Sequence, residues 1–160
     1  MTETVTAPFT FENPVFRAYA IAASLMVLKM FAMAWLTVYR MMRVNGGYRS
    51  PEDTRRSLLN PNPSPTQTEP NDYVERIRRI HHNDLENVPA FLAAGLVFVA
   101  TAPSAALASG LFYGYVASRV AHFAAYVTAR SHETRATFWT IGAAIVMYMA
   151  AASLAHALRG

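Results

Sequence analysis

The chain has 160 residues, of which 53% are hydrophobic and only 15% charged, with a formal net charge of +4. A soluble domain carries about 25% charged residues, so this composition points to a membrane setting. The placement of the positive charge, more than its sum, argues against a nucleic-acid partner. With no cysteine in the sequence, disulfides, thiolate metal sites and a cysteine nucleophile are excluded.

The first predicted helix covers 15–43, an apolar run with Arg17 near one end, Lys29 in the middle and Arg40 near the other. It reads as a membrane span and not as a cleavable leader, being too long and preceded by the acidic Glu3 and Glu12. A polar loop over 44–72 follows, with Asn45-Gly46-Gly47 and then Pro51, Pro61, Pro63, Pro65 and Pro70. That density of helix- and strand-breaking residues precludes a regular element throughout the stretch. A second helix over 73–101 is polar from Tyr73 to Asn87 and apolar from Val88 to Ala100. Pro103, in Thr101-Ala102-Pro103-Ser104, turns the chain into a third helix over 104–129. The fourth, over 134–158, is the clearest span, since Ala136 to Leu158 carries no formal charge.

The expected fold is an all-α integral membrane protein, a single domain over 1–160 of four transmembrane helices. Arg43, Arg49, Arg55 and Arg56 in or beside the long loop, with Arg130 and Arg135 at the third turn, put both basic loops in the cytoplasm under the positive-inside rule. Lys29 is the single lysine among many arginines, and alanine is abundant, a bias that favours a bacterial cell membrane.

The polar half of the second helix is too long for headgroup contact alone, and ionisable groups at membrane depth are functional candidates. At ~100° per residue, Glu75, Arg79, Asn83 and Glu86 share a fan of about 80°, and Arg119, His122 and Tyr126 on the third helix share one of about 60°. Two readings stand at this level. One is a structural network, with Glu75 and Arg79 as an i,i+4 pair and Glu86 neutralising Arg119. The other is a cavity for a polar, anionic, peptide-like molecule, whose carboxylates suit the arginine fork. Adjacent His81 and His82 point ~100° apart without a third ligand at suitable spacing, so no metal site is expected. Asp53, in Ser50-Pro51-Glu52-Asp53-Thr54, reads equally as a turn cap or as a catalytic group.

The segment Val74-Glu75-Arg76-Ile77-Arg78-Arg79-Ile80-His81-His82-Asn83-Asp84-Leu85-Glu86-Asn87 resembles the hallmark of the MAPEG family, the membrane-associated proteins of eicosanoid and glutathione metabolism. The likeness is to the microsomal glutathione transferase and prostaglandin E synthase branch. Lys29-Met30, Pro51-Glu52-Asp53, Arg119-Val120-Ala121-His122, Tyr126 and Arg135 extend it over nearly the whole chain. The resemblance implies a homotrimer that binds glutathione, or an analogous low-molecular-weight thiol, between neighbouring subunits. By position, Arg79, Asn83, Glu86, Arg119, His122, Tyr126 and Arg135 would bind the thiol compound. Arg135 would also act on its sulfur, and Asp53 matches a loop aspartate of the synthase branch.

The implied reaction is conjugation of the thiol to a lipophilic electrophile arriving through the bilayer, with peroxide reduction as a side activity. A prostaglandin-E-synthase-like isomerase and a non-catalytic accessory subunit are the alternatives, and a transporter is disfavoured by the lack of an internal repeat. Departures from the family pattern are Met41 and Met42 where an arginine is usual, with Arg40 and Arg43 on either side, Ala136 after Arg135, Trp139, and Pro89 one place early.

Overall fold

The computed structural model describes residues 7–159, so Glu3 of the acidic tail lies outside the described residues. Four long helices carry the chain: α1 Pro14–Val44, α2 Asp72–Ala100, α3 Ala105–Val127 and α4 His132–Ala157. Two short 3-10 helices, Pro51–Thr54 and Pro65–Thr68, interrupt the long loop. No strand occurs among the described residues.

Local chemistry explains where the helices begin and end. Asn13 Oδ1 accepts from the main-chain N–H of Val15 at 2.9 Å, with Pro14 in the first helical position. Asn71 Oδ1 does the same for Tyr73 at 3.0 Å, and Ser104 and Ser131 cap α3 and α4. Residues with positive φ, Asn45 at 46°, Ala102 at 49° and Ala129 at 55°, follow the first three helices. Gly46 N–H then donates back to Met41 O at 3.2 Å and Arg130 N–H to Ala125 O at 2.9 Å, satisfying carbonyls of the last turns. Pro89 lies inside α2, which continues past it.

Contacts divide the chain into two compact units, Met1–Leu28 with Leu85–Gly160, and Lys29–Asp84. In the first, Tyr19, Phe91, Phe98, Phe112 and Tyr115 form a buried aromatic core. Phe91 and Tyr115 stack with ring centroids 4.0 Å apart and planes 2° apart, and Tyr19 OH donates to Leu92 O at 2.8 Å. Small residues bring the helices close: a Cβ on Gly95 would sit 2.9 Å from Tyr19 Cε2, and one on Gly142 would sit 2.9 Å from Ser118 Oγ. Such close approach is how helices associate in lipid, where the tails are as apolar as leucine and packing contributes most of the attraction.

In the second unit, Arg40 is 7% exposed; its Nη1 donates to Tyr73 O at 2.7 Å and its guanidinium lies 4.0 Å from the Tyr73 ring centroid. Lys29 of α1 pairs with Asp84 of α2. Tyr48 N–H donates to Gln67 O at 2.8 Å, tying the two ends of the loop together.

Apolar side chains remain exposed on every helix, among them Leu28, Phe31, Trp35, Leu107, Met147 and Leu154. Apolar surface of that extent suits lipid and not water. Of the four helices expected to span, α1 and α4 are apolar and long enough on their own. The polar first half of α2, and the glycines, tyrosines, Ser118, Arg119 and His122 of α3, lower those two below the same mark.

Candidate functional site: a polar face on α2 and an aromatic–arginine relay on α3 and α4

Helical phase divides the expected site residues. The enclosed side of α2 is Val74, Ile77, Ile80, Asp84, Val88 and Phe91, all at 0% exposure. Those positions recur every three or four residues and define one stripe. Arg79 and Glu86 are exposed and Asn83 is half-buried, since at ~100° per residue they fall well over 90° around the helix from that stripe. Arg79 makes no hydrogen bond or ion pair among the described residues. The expected Glu75–Arg79 pair is not formed. Glu75 instead accepts from Arg78 through Oε1 and from Arg49 through Oε2, the latter at 3.0 Å.

On α3 the relation is reversed. Arg119 is 1% and His122 3% exposed, on the same enclosed stripe as Phe112, Tyr115 and Ser118. Tyr126, one turn on, is half-buried; its ring meets that of His122 edge-on at 5.1 Å. From α4, the Arg135 guanidinium lies over the Tyr126 ring, 4.4 Å from its centroid. Arg135 Nε also donates to the carbonyl of Ser131, the α4 cap, at 3.4 Å. His122, Tyr126 and Arg135 are therefore brought together, with the cation held by a ring face, an attraction that strengthens as water is removed.

Asp53 is exposed in the Pro51–Thr54 helix. Its main chain is engaged, N–H to Ser50 O at 3.0 Å and carbonyl O to Asn60 Nδ2 at 3.3 Å, while no side chain caps that helix. Asp53 lines a pocket of about 420 Å³ with Val38, Met41, Met42 and Tyr48. Of the two arginines flanking Met41 and Met42, Arg40 is enclosed against Tyr73, whereas Arg43 is exposed and reaches Tyr39 OH at 3.2 Å.

The sequence pattern alone did not find the Lys29–Asp84 pair. The signal was present, because one charge in the middle of an apolar helix requires a counter-charge at the same depth. Asp84 was hidden among the other polar groups of the α2 motif.

The MAPEG family model matches residues 19–155. Microsomal glutathione S-transferase 1 of Homo sapiens is 33% identical over 140 residues, 87% of this chain and 88% of the relative. The Bos taurus protein of that name is 34% identical over 140 residues, with the same coverage of 87% and 88%. Prostaglandin E synthase of Homo sapiens is 30% identical over 129 residues, 81% of each chain. These relatives are enzymes, and the matched segment takes in the α2 motif, the α3 residues and Arg135 together. The chain belongs to the MAPEG family.

Proposed function

We propose that the protein is a membrane-bound transferase that joins glutathione, or an analogous low-molecular-weight thiol, to lipophilic electrophiles, with peroxide reduction as a side activity. The observation that carries the reading is the outward α2 face, where Arg79 is exposed and unpaired beside Asn83 and Glu86. A cation and an anion on one face match the carboxylates and the ammonium of a small peptide. Since that face is turned from the enclosed stripe of its own helix, a neighbouring copy would complete the site. We therefore favour a homotrimer of four-span subunits, a single domain each. The positive-inside rule applied to the basic loops supports a site toward the cytoplasm, and the arginine and alanine bias supports a bacterial cell membrane.

Arg135 supplies the chemistry. A free thiol has a pKa of about 8.5, and the thiolate is the nucleophile. A guanidinium stays charged at any working pH and favours the ionised sulfur. Lowering that pKa by one unit corresponds to about 1.4 kcal/mol of preference for the thiolate. The stack on Tyr126 fixes where this charge sits. The sulfur then forms its bond to the electrophilic carbon, whose leaving group departs with the electron pair, or whose conjugated system takes a proton. His122, whose ring meets that of Tyr126, helps to hold it in place. Arg119, enclosed on the same stripe, supports the site as much as it binds the thiol compound, and Arg43 replaces the family's usual arginine at the end of α1. Asp53, placed on a partly apolar pocket, supports an isomerase of the prostaglandin E synthase type as the second reading, although Ala136 stands where that branch has serine. An accessory subunit would have no need of Arg135.

The test is titration of the purified protein with glutathione and other small thiols, following thiolate absorbance. The wild type should ionise the thiol below its free pKa, Arg135→Ala should bind without ionising it, and Arg79→Ala should bind more weakly. Absence of thiolate in the wild type, or wild-type behaviour of Arg135→Ala, overturns the reading.

A further inference from the structure

The long loop carries a tip that is fastened by hydrogen bonds yet stands largely exposed. Ser57 N–H donates to Asn60 O at 3.0 Å and Asn60 N–H to Ser57 O at 3.2 Å, closing a tight turn with Leu58 and Leu59 at its two central positions. Leu58 is 100% and Leu59 75% exposed. The base of the turn is clamped by two buried amides. Asn60 Nδ2 donates to Gln67 Oε1 at 2.8 Å, and Gln67 Nε2 returns a bond to Asn60 Oδ1 at 3.0 Å. Gln67 Nε2 also reaches Asn45 Oδ1 at 2.9 Å, just beyond the end of α1. Fixing two leucines in water by so many hydrogen bonds has no stabilising purpose within the chain itself.

The neighbourhood identifies what covers them. Ser57, Leu59 and Asn60 line the same pocket as Val38, Met41 and Met42 of the last turns of α1. The tip therefore lies beside the end of a helix long and apolar enough to cross a membrane. Trp35 and Tyr39 are exposed on these turns, and Arg43 donates to Tyr39 OH. Exposed Trp and Tyr followed by a cation mark the level of the lipid headgroups. Arg55, which lines that same pocket, and Arg56 immediately precede the turn, and both are exposed. An apolar point beside arginines at headgroup depth is the pattern of an interfacial anchor for an anionic lipid surface.

We infer that the Leu58–Leu59 turn is a membrane anchor: the two leucines enter the acyl boundary of the leaflet on the loop's side, and Arg55 and Arg56 engage anionic headgroups. Its role is to hold the loop flat against the bilayer.

The cysteine-free sequence makes a single-label test direct. Leu58→Cys and, as reference on the same loop, Glu69→Cys are labelled with bimane and reconstituted in phosphatidylcholine vesicles with and without phosphatidylglycerol. The label at 58 should be blue-shifted and quenched several-fold more strongly by a doxyl group high on the lipid chain than the label at 69. Adding Arg55→Gln and Arg56→Gln should reduce that quenching in the anionic vesicles. Quenching by aqueous iodide equal to that at 69 overturns the proposal. Shielding of the label at 58 from both iodide and doxyl lipid also overturns it, in favour of a contact with another copy of the chain.

Discussion

Lys29 on α1 and Asp84 on α2 form an ion pair whose carboxylate side chain is 0% and whose ammonium side chain is 12% exposed. At that burial the attraction is set against a large desolvation cost, so the pair as a whole adds little net stability, but either charge alone is strongly unfavourable. Asp84→Leu should destabilise the protein by about 3–5 kcal/mol, and Lys29→Met with Asp84→Leu should recover most of the loss. Unfolding in detergent micelles, followed by circular dichroism, measures both. Asp84 adjoins Asn83, so the single variant should also weaken thiol binding, and the double variant should do so less.

Tyr126 holds Arg135 through its ring face. Tyr126→Phe keeps that face and should retain the thiolate that Arg135 stabilises. Tyr126→Leu removes it and should forfeit about 0.5–2 kcal/mol of positioning, up to a thirtyfold loss in kcat/KM for thiol conjugation. Equal losses in the two variants would assign the effect to the hydroxyl.

Ser118 of α3 and Gly142 of α4 meet so closely that an added Cβ would lie 2.9 Å from Ser118 Oγ. That hydroxyl is already engaged, donating to Tyr115 O at 2.7 Å. Gly142→Ala should therefore overpack the interface at a cost of about 1–3 kcal/mol. Ser118→Ala with Gly142→Ala should restore part of it. Thermal unfolding of the two variants beside the wild type decides.

The amides of Asn60 and Gln67 interlock in the loop. Gln67→Leu leaves the buried Asn60 Oδ1 without its amide donor and Asn60 Nδ2 with only the Asp53 carbonyl, a loss of about 1–3 kcal/mol. The visible consequence should be faster tryptic cleavage after Arg55 and Arg56, with the helices still intact by circular dichroism.

Much of this architecture was legible in the chain alone because it is local. Asn13, Asn71, Ser104 and Ser131 cap the helices they precede, and the proline-rich stretch makes a loop of the residues around it. Periodicity likewise put Arg79, Asn83 and Glu86 on one side of α2, because the angle between residues of one helix depends on spacing alone. Spacing does not say which side of a helix will be enclosed. Only packing turned Arg79 and Glu86 outward while enclosing Arg119 and His122. Packing also joined Glu75 to Arg78 and Arg49 instead of Arg79, and separated the enclosed Arg40 from the exposed Arg43. The Lys29–Asp84 pair and the Asn60–Gln67 clamp belong to the same class. Each depends on groups that come within hydrogen-bond reach only when distant stretches of chain are folded together, and such distances have no counterpart in residue order.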